Sequence, residues 1–263
     1  MTQTFDRKGD HTVAKRDGRD GEAMVEKATH ETGAGNRLWQ GISQKTEKPL
    51  ASWHQCFSTM FYINLDSSRE RRQHAESEFS RIGIVVERFS AIRPDSKGGH
   101  RNTGVLGCKL SHLAVLRCAR ENKLKNIVIF EDDVLFSAEF EQRVDMVIRD
   151  LLEHKWDLFY FYTKHSRVIS KTESGLCKIT SCGRTHALAI NESAYDRMIE
   201  LILTGPNKPV DKLYRRHLHK QLDVYGVEPD LAIQNRKLFA SDIDPPRTSV
   251  NRPAPGSPLN NRK

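Results

Sequence analysis

The sequence lacks the features that membrane-spanning, secreted and disulfide-rich proteins require. No apolar run approaches the roughly 18 to 20 residues of a membrane span. The N-terminal residues include no hydrophobic segment of the kind found in a secretory signal. The five cysteines are odd in number and contain no Cys-x-x-Cys pair, which argues against a disulfide framework and a structural zinc site. We therefore expect a soluble, cytoplasmic protein with reduced thiols.

Two signals of nucleotide and nucleic-acid binding are also missing. There is no phosphate loop of the Gly-x-x-x-x-Gly-Lys-[Ser/Thr] type, and aromatic residues are not interleaved with basic ones in the way that stacks bases. The formal net charge of +8 suits an anionic partner: nucleic acid, a phosphorylated metabolite, an acidic glycan or a lipid surface. Because the stacking pattern is absent, we expect no nucleic-acid partner. A peripheral contact with the anionic inner face of a membrane is compatible with the charge.

What the chain does contain is an alternation of strand and helix periods between two polar ends. Residues 1–55 are polar, and residues 244–263 carry five prolines, so we interpret both as disordered tails. Between them, residues 56–243 alternate apolar, strand-like runs with amphipathic helical ones. This pattern predicts one α/β domain with a Rossmann-like, mostly parallel sheet flanked by helices. In such sheets, ligands bind at the carboxyl ends of the strands.

The stretch IVIFEDDVLF, residues 127–136, places three carboxylates at the end of an apolar, strand-like run. In extended geometry Glu131 and Asp133 would share one face, and Asp132 would point the other way. Paired carboxylates at a strand end suit Mg²⁺ or Mn²⁺, which often bind through one or two carboxylates plus substrate phosphates. A solvated turn that leads into the next helix explains the same residues equally well, so both interpretations stay open at this point.

Basic and polar side chains lie close to the predicted strand ends. Three arginines begin the helix after the first strand, where they would meet either a phosphate or solvent: Arg69, Arg71 and Arg72. The segment GVLGCKLSH starts another helix with two glycines and brings Ser111 and His112 into its first turns. Adjacent helical residues do not face each other, so a hydrolase triad built on this pair is disfavoured.

Two further acidic residues lie near the end of the predicted domain. Asp211 follows a proline in the segment PVD, and Asp242 lies in the segment SDI. A carboxylate in either position is explained by a helix cap or first-turn acid, or by a side chain that faces a ligand. The local sequence does not distinguish these two interpretations.

Taken in order, five segments resemble glycosyltransferase family 25, which includes lipooligosaccharide and procollagen galactosyltransferases. The segments extend over about residues 59–243 and are FYINLDSSRERR, GVLGCKLSH, IVIFEDDVLF, PVD and SDI. The resemblance implies a GT-A-like fold, a UDP-sugar donor (often UDP-galactose), a divalent metal, Mn²⁺ or Mg²⁺, and inversion at the anomeric carbon. It also implies a glycan or lipid-linked oligosaccharide acceptor, such as lipopolysaccharide.

The resemblance and the positions of these side chains together give a hypothesis for the site. Asp133 and Glu131 are the expected metal ligands. Asp211 is the expected catalytic base, with Asp242 as the fallback. The expected donor-binding residues are Asn64, Arg69, Arg71, Arg72, Ser111, His112, Glu131 and Asp132. Two other classes compete with this hypothesis: a catalytically inactive, GT-A-like binding module and a Mg²⁺-dependent phosphotransfer enzyme.

Overall fold

The computed structural model describes residues 52–94, 103–163 and 166–239. Asp242, the predicted C-terminal tail and nearly all of the predicted N-terminal tail lie outside the described residues. The described chain begins with a short 3-10 helix, Trp53–Cys56, and then enters the first strand.

Eight of the described strands form one mixed sheet. The strands are β1 (Thr59–Asn64), β2 (Glu87–Ser90), β3 (Asn126–Glu131), β4 (Val134–Phe136), β5 (Leu158–Tyr160), β6 (Val168–Lys171), β7 (Leu176–Ile179), β8 (Ala187–Asn191), β9 (Val224–Val227) and β10 (Ala232–Gln234). The sheet has the order β2-β1-β3-β8-β5-β9-β7-β6, and β4 pairs with β10 in a separate antiparallel ribbon. Within the sheet, β7 and β8 run opposite to the other six strands. The predicted α/β domain with a mostly parallel sheet is therefore confirmed.

Helices cover both faces of this sheet. They are α1 (Arg69–Arg81), α2 (Thr103–Glu121), α3 (Phe140–Leu152), α4 (Glu192–Thr204) and α5 (Val210–His217). Helices α1 and α3 share one hydrophobic core with Val128 and Phe130 of β3, whereas α2, α4 and α5 share a second core with Ile127 and Ile129. Because both faces of β3 are covered, its apolar run is continuous rather than alternating. No helix in the described part of the chain is both long and apolar enough to cross a bilayer.

The sequence signals for where a helix ends agree with the structure better than the signal for where α1 begins. Gly83 adopts a φ of +69° shortly after α1, a left-handed conformation that commonly terminates helices, and α4 ends directly before Gly205. The spacing of Ser67 and Glu70 predicts a capping box at the start of α1. That prediction is wrong, because Ser68 is the N-cap residue and its side chain makes no capping hydrogen bond.

The fold brings the ends of β1 and β3 to one edge of the sheet. The two strands are adjacent and parallel, with Ile63 paired to Glu131, so the loops that follow them leave in the same direction. Helix α2 closes this edge at Gly107, where a Cβ atom would lie 2.6 Å from the carbonyl oxygen of Ile92. A glycine is therefore required for α2 to pack this closely against the loop after β2.

Candidate active site

A cavity of about 420 Å³ lies at this edge of the sheet, within the size range of small-molecule sites. Its lining combines side chains from both helix layers and from the strand ends: Arg71, Ser111, His112, Glu131, Asp132, Asp133, Arg184, Thr185, Asp211 and Gln234. The structure thus brings together seven of the residues that the sequence hypothesis selects. We call Glu131, Asp132 and Asp133 the acidic turn.

Asp132 is held by two elements that precede it in the chain. Asn64, at the end of β1, donates a hydrogen bond from Nδ2 to Asp132 Oδ2 at 2.7 Å. Arg71 of α1 binds Asp132 Oδ1 through Nε at 2.7 Å and through Nη2 at 2.6 Å. Asn64 itself does not line the cavity, and its contribution to the site is the hydrogen bond that orients Asp132.

The expected alternation within the acidic turn is wrong for Asp132. Strand β3 ends at Glu131, and residues 132 and 133 form a turn, so the two-residue period of an extended strand no longer applies to them. All three carboxylates line the same cavity. Arg71 Nη2 also lies 3.2 Å from Asp133 Oδ2, so one guanidinium group bridges Asp132 and Asp133.

Glu131 and Asp133 differ from Asp132 in how their charges are compensated. Glu131 accepts hydrogen bonds from Thr185 Oγ1 at 2.7 Å and from Gln234 Nε2 at 3.3 Å. Burial and the nearby Asp133 raise the pKa of Glu131, and burial raises that of Asp133 although Arg71 opposes the shift. Oδ1 of Asp133 is buried and has no hydrogen-bond partner among the described residues. A buried carboxylate oxygen without a partner is costly, and a bound cation or donor would relieve the cost.

The carboxylates of the acidic turn fit a hard divalent cation that also uses ligand oxygens. Among the described residues, no three His, Cys, Asp or Glu side chains are grouped closely enough to form a metal site by themselves. Mg²⁺ and Mn²⁺ suit the alternative arrangement, in which one or two carboxylates share the ion with substrate phosphates. Asp133 Oδ1 is the oxygen best suited to such a contact.

Asp211 enters the cavity from the first turn of α5, where the sequence places an acid. Its Oδ2 accepts a hydrogen bond from the backbone N–H of Arg184 at 3.1 Å. Arg184 adopts a φ of +71°, which turns its N–H toward α5 in the loop before β8. The charge of Asp211 also contributes to the raised pKa of Glu131.

Ser111 and His112 both line the cavity but have different environments. Ser111 Oγ donates to the carbonyl oxygen of Gly107 at 2.8 Å and accepts from the N–H of Ile92 at 2.8 Å, so it fastens the loop after β2 to α2. The His112 ring is buried, and neither of its nitrogens has a hydrogen-bond partner among the described residues. Burial lowers the pKa of His112 to about 4, so the imidazole is neutral at pH 7.

The structure separates Arg71 from Arg69 and Arg72, which the sequence treats alike. Arg69 and Arg72 line a separate groove, and Arg72 Nε binds Glu76 at 2.8 Å. The expectation that Arg69 and Arg72 contact the donor is therefore not supported by their positions. On a helix, residues i and i+4 share a face, and Arg71 lies four residues before the buried Ala75. That spacing is the sequence signal that could have singled out Arg71.

The sequence hypothesis missed cavity residues that come from the second half of the domain. The side chains of Thr185 and Gln234 donate hydrogen bonds to Glu131, and the backbone N–H of Arg184 donates one to Asp211. None of the three belongs to a recognisable motif. The only local signal is that Thr185 lies just before the apolar run of β8, at a strand end.

Comparison with protein families connects this geometry to a known group of enzymes. A model of glycosyltransferase family 25, described as an LPS biosynthesis protein, matches residues 57–205, which is more than half of the 263 residues. The match includes α1, α2 and the acidic turn, and Asp211 lies just beyond it. The chain belongs to glycosyltransferase family 25.

Named relatives of this family 25 protein come from bacteria and animals. A lipooligosaccharide biosynthesis protein of Haemophilus influenzae is 24% identical over 209 residues, which is 70% of this chain and 78% of the relative. A glycosyltransferase 25 family member of Drosophila pseudoobscura is 33% identical over 129 residues, 40% of this chain and 20% of the relative. The mouse relative named inactive glycosyltransferase 25 family member 3 is 30% identical over 159 residues, 56% and 27% of the two chains.

These alignments differ in how much of each relative they cover. The family 25 protein spans most of the bacterial relative and only about a fifth to a quarter of the two animal relatives. Among solved structures, a glycosyltransferase involved in glycosylation of the major capsid of PBCV-1 aligns with a TM-score of 0.38 at 12% identity, covering 60% of this chain and 74% of that one.

Proposed function

We propose that the protein transfers a hexose, with galactose as the first candidate, from a UDP-sugar to a hydroxyl group of a glycan, in a metal-dependent, inverting reaction. Membership of glycosyltransferase family 25 supports glycosyl transfer in general. The proposal treats the domain as GT-A-like, as the family resemblance implies. The Haemophilus influenzae relative, a lipooligosaccharide biosynthesis protein, supports a lipid-linked oligosaccharide such as lipopolysaccharide as the acceptor.

The observation that carries the proposal is the acidic turn in the wall of the cavity, in which Asp132 and Asp133 are buried. Asp133 Oδ1 has no hydrogen-bond partner among the described residues, and burial raises the pKa of both Asp133 and Glu131. Buried, like-charged carboxylates in a ligand-sized cavity are typical of functional sites rather than of structural turns. This favours the metal-site interpretation of IVIFEDDVLF over the solvated turn.

The cavity residues divide into a donor side and an acceptor side. Asp133 and Glu131 are the proposed holders of Mn²⁺ or Mg²⁺, which when bound offsets the negative charge that develops on the diphosphate leaving group. Arg71 provides a guanidinium group within reach of the same phosphates. On the other side, Asp211 is the proposed base, which takes the proton of the acceptor hydroxyl as that oxygen attacks the sugar. Because Asp211 Oδ2 accepts the Arg184 N–H, Oδ1 is the oxygen proposed to take the proton.

The surface beside Asp211 suits an acceptor that carries negative charge. Helix α5 directs Asp211 into the cavity and exposes Lys212, Arg215 and Arg216 to solvent. Cations at this position favour phosphorylated or acidic glycans, and they also favour a peripheral contact with an anionic membrane surface.

The proposal is tested by a donor screen with the purified 263-residue chain. Hydrolysis or transfer is measured for a panel of UDP- and GDP-sugars, with Mn²⁺, with Mg²⁺ and with excess EDTA. We expect turnover of a UDP-hexose that requires the added metal and is lost in EDTA. Turnover that is unchanged in excess EDTA would contradict metal dependence, and turnover of a GDP-sugar alone would contradict the donor.

A second candidate is a family member that binds a nucleotide sugar without transferring it. Two observations favour it: a mouse relative is named inactive, and Arg71 already neutralises part of the acidic turn in the structure. For a binding module we expect UDP-sugars to raise the melting temperature by mass action with no turnover of any donor. The same screen therefore separates the two candidates.

A further inference from the structure

Arg71 occupies the position of a counter-cation within the acidic turn. Its guanidinium group contacts Asp132 Oδ1 at 2.6 and 2.7 Å and Asp133 Oδ2 at 3.2 Å. The Arg71 side chain is 15% exposed, and the two aspartates are 10% and 9% exposed. At this burial the charges are screened only partly by solvent, so the contact is a strong one.

The two aspartates depend on Arg71 to different degrees. Asp132 retains a second partner, because Asn64 Nδ2 donates to its other oxygen at 2.7 Å. Asp133 has one oxygen near Arg71 and one oxygen, Oδ1, without a partner among the described residues. Movement of Arg71 away from the turn would therefore leave Asp132 oriented by Asn64 while making both oxygens of Asp133, and not Oδ1 alone, available to another cation.

A free divalent ion and Arg71 compete for the same carboxylates. An ion that binds Asp133 while Arg71 stays in place brings two cations close together in a partly buried site, where repulsion is stronger than in water. A diphosphate changes this balance, because its oxygens bind the ion and also accept hydrogen bonds from a guanidinium group. The ion and Arg71 can therefore both bind the acidic turn only when a diphosphate is present.

We propose that Arg71 is the internal counter-cation of the acidic turn and makes divalent-metal binding depend on the diphosphate of the donor. Arg71 thus couples the two ligands, and metal and nucleotide bind cooperatively rather than independently. The inference rests on the proposed function, since it takes the donor to be a nucleoside diphosphate sugar and the metal to bind Asp133.

The coupling is measured by isothermal titration calorimetry on the 263-residue chain at fixed pH. Mn²⁺ is titrated alone, in saturating UDP, and in saturating uridine, which lacks the diphosphate, with Mn²⁺–UDP binding in buffer measured separately. We expect UDP to increase the affinity for Mn²⁺ roughly 5- to 150-fold, the usual range for coupled sites, and uridine to leave it unchanged. The same Mn²⁺ titration is repeated in saturating GDP, as a second nucleoside diphosphate.

The decisive variant is Arg71→Met, with Arg72→Met as its matched control. Both lose one positive charge from α1, but Arg72 binds Glu76 outside the cavity. In Arg71→Met we expect Mn²⁺ alone to bind at least about fivefold more tightly than in the wild type, and the coupling with UDP to shrink correspondingly. Arg72→Met should match the wild type in both measurements. Loss of a merely structural contact would not strengthen metal binding.

The possible results separate this inference from the proposed function. Unchanged or weaker Mn²⁺ affinity in Arg71→Met, with Mn²⁺-dependent donor turnover present in the wild type, overturns the inference alone. No Mn²⁺ binding by the wild type with UDP or GDP overturns the metal part of the proposed function, and the inference with it. If Arg71→Met does not fold, the titrations of the wild type alone test the coupling. Mn²⁺ binding to the wild type that is as tight without a nucleotide as with UDP would reject it.

Discussion

Asn64 Nδ2 donates a 2.7 Å hydrogen bond to Asp132 Oδ2 and so joins the end of β1 to the acidic turn, across 68 positions of the sequence. The same nitrogen donates to the carbonyl oxygen of Ser68 at 3.1 Å, and Asn64 Oδ1 accepts from Arg88 Nε at 3.1 Å. Asn64 is 1% exposed, so these bonds are made where water does not compete. An amide is required here because the residue must donate on one side and accept on the other.

Asn64→Asp is therefore expected to destabilise the fold more than Asn64→Ala. The alanine variant leaves Asp132 short of one donor, which costs about 1–3 kcal/mol in the free energy of unfolding. The aspartate variant keeps the shape but places a second buried carboxylate against Asp132, which adds repulsion to the lost bond. Urea unfolding measures both, with Asn207→Asp at an exposed position as the control. Equal stability of the two Asn64 variants would rule out a donor role for Asn64.

Asp133→Asn is expected to separate folding from metal-dependent turnover. The change removes one negative charge from the acidic turn without changing its volume, and Arg71 keeps its contacts with Asp132. We expect the melting temperature to be unchanged or higher and metal-dependent turnover to fall by about 100-fold or more. The control is Asp196→Asn, which removes an exposed carboxylate paired with Arg120. Near-normal turnover in Asp133→Asn would exclude Asp133 as a metal ligand.

Asp211→Asn is expected to lower kcat while leaving the KM for the donor nearly unchanged. The amide can still accept the Arg184 N–H, but it cannot take the proton of an acceptor hydroxyl. Loss of a general base costs about 10²- to 10⁴-fold in rate. Asp242→Asn is measured in parallel, because Asp242 is the fallback base and lies outside the described residues. A larger loss in Asp242→Asn than in Asp211→Asn would reverse the two assignments.

Three buried histidines are expected to make the fold sensitive to acid. Burial lowers the pKa of His112, His186 and His219 to about 4, from an ordinary value of 6.5. Because these pKa values are depressed in the folded state, the stability they contribute is fully present above pH 6.5. It is lost as the pH falls from 6.5 toward 4, since only the unfolded chain takes up the protons in that range.

His112→Phe isolates one of these contributions. Both nitrogens of His112 lack partners among the described residues, so an apolar ring should not lower the free energy of unfolding at pH 7. The variant should lose less stability than the wild type on acidification, by up to about 3 kcal/mol at pH 4. Urea unfolding at pH 7, 5.5 and 4.5 gives the comparison, with the exposed His217→Gln as the control. Identical pH dependence in His112→Phe and the wild type would contradict the buried, neutral imidazole.

Gly107→Ala is expected to disturb the wall of the cavity more than Gly183→Ala. A Cβ atom at residue 107 would lie 2.6 Å from the carbonyl oxygen of Ile92, whereas one at residue 183 would meet no atom closer than 3.6 Å. The clash forces α2 away from the loop after β2, at a cost of about 1–3 kcal/mol, and should raise the donor KM. Thermal unfolding and donor titration measure the two effects. A Gly107→Ala protein as stable as Gly183→Ala would show that this contact is not tight.

Much of the fold was predictable because its signals are local. Apolar runs separated by amphipathic segments predicted the α/β class and placed β1, α1, α2 and β3 correctly. The strands of the second half were harder to predict from the sequence, because β9 and β10 are only four and three residues long. Strand β8 runs antiparallel to β3, a direction that depends on how distant segments pair and not on any local period.

The sequence hypothesis and the structure agree in part on which residues lie together, and the differences have a common origin. The sequence selected the acidic turn, Arg71 and Asp211, and the structure brings them to one cavity. It could not separate Arg71 from Arg72, because neighbouring positions on a helix differ by about 100° and only packing decides which one faces inward. It also assigned Asp132 to the wrong face, because a strand period was extended into a turn.

The sequence by itself determined the family and the order of its motifs, since these are properties of neighbouring residues. It also determined that three carboxylates follow the apolar run of residues 127–130. Only the tertiary structure decided which side chains compensate those carboxylates. Arg71 reaches Asp132 across 61 positions, and Gln234 reaches Glu131 across 103. Such pairs form because β1, β3 and the β4–β10 ribbon meet at one edge, and no local pattern encodes which distant strands become neighbours.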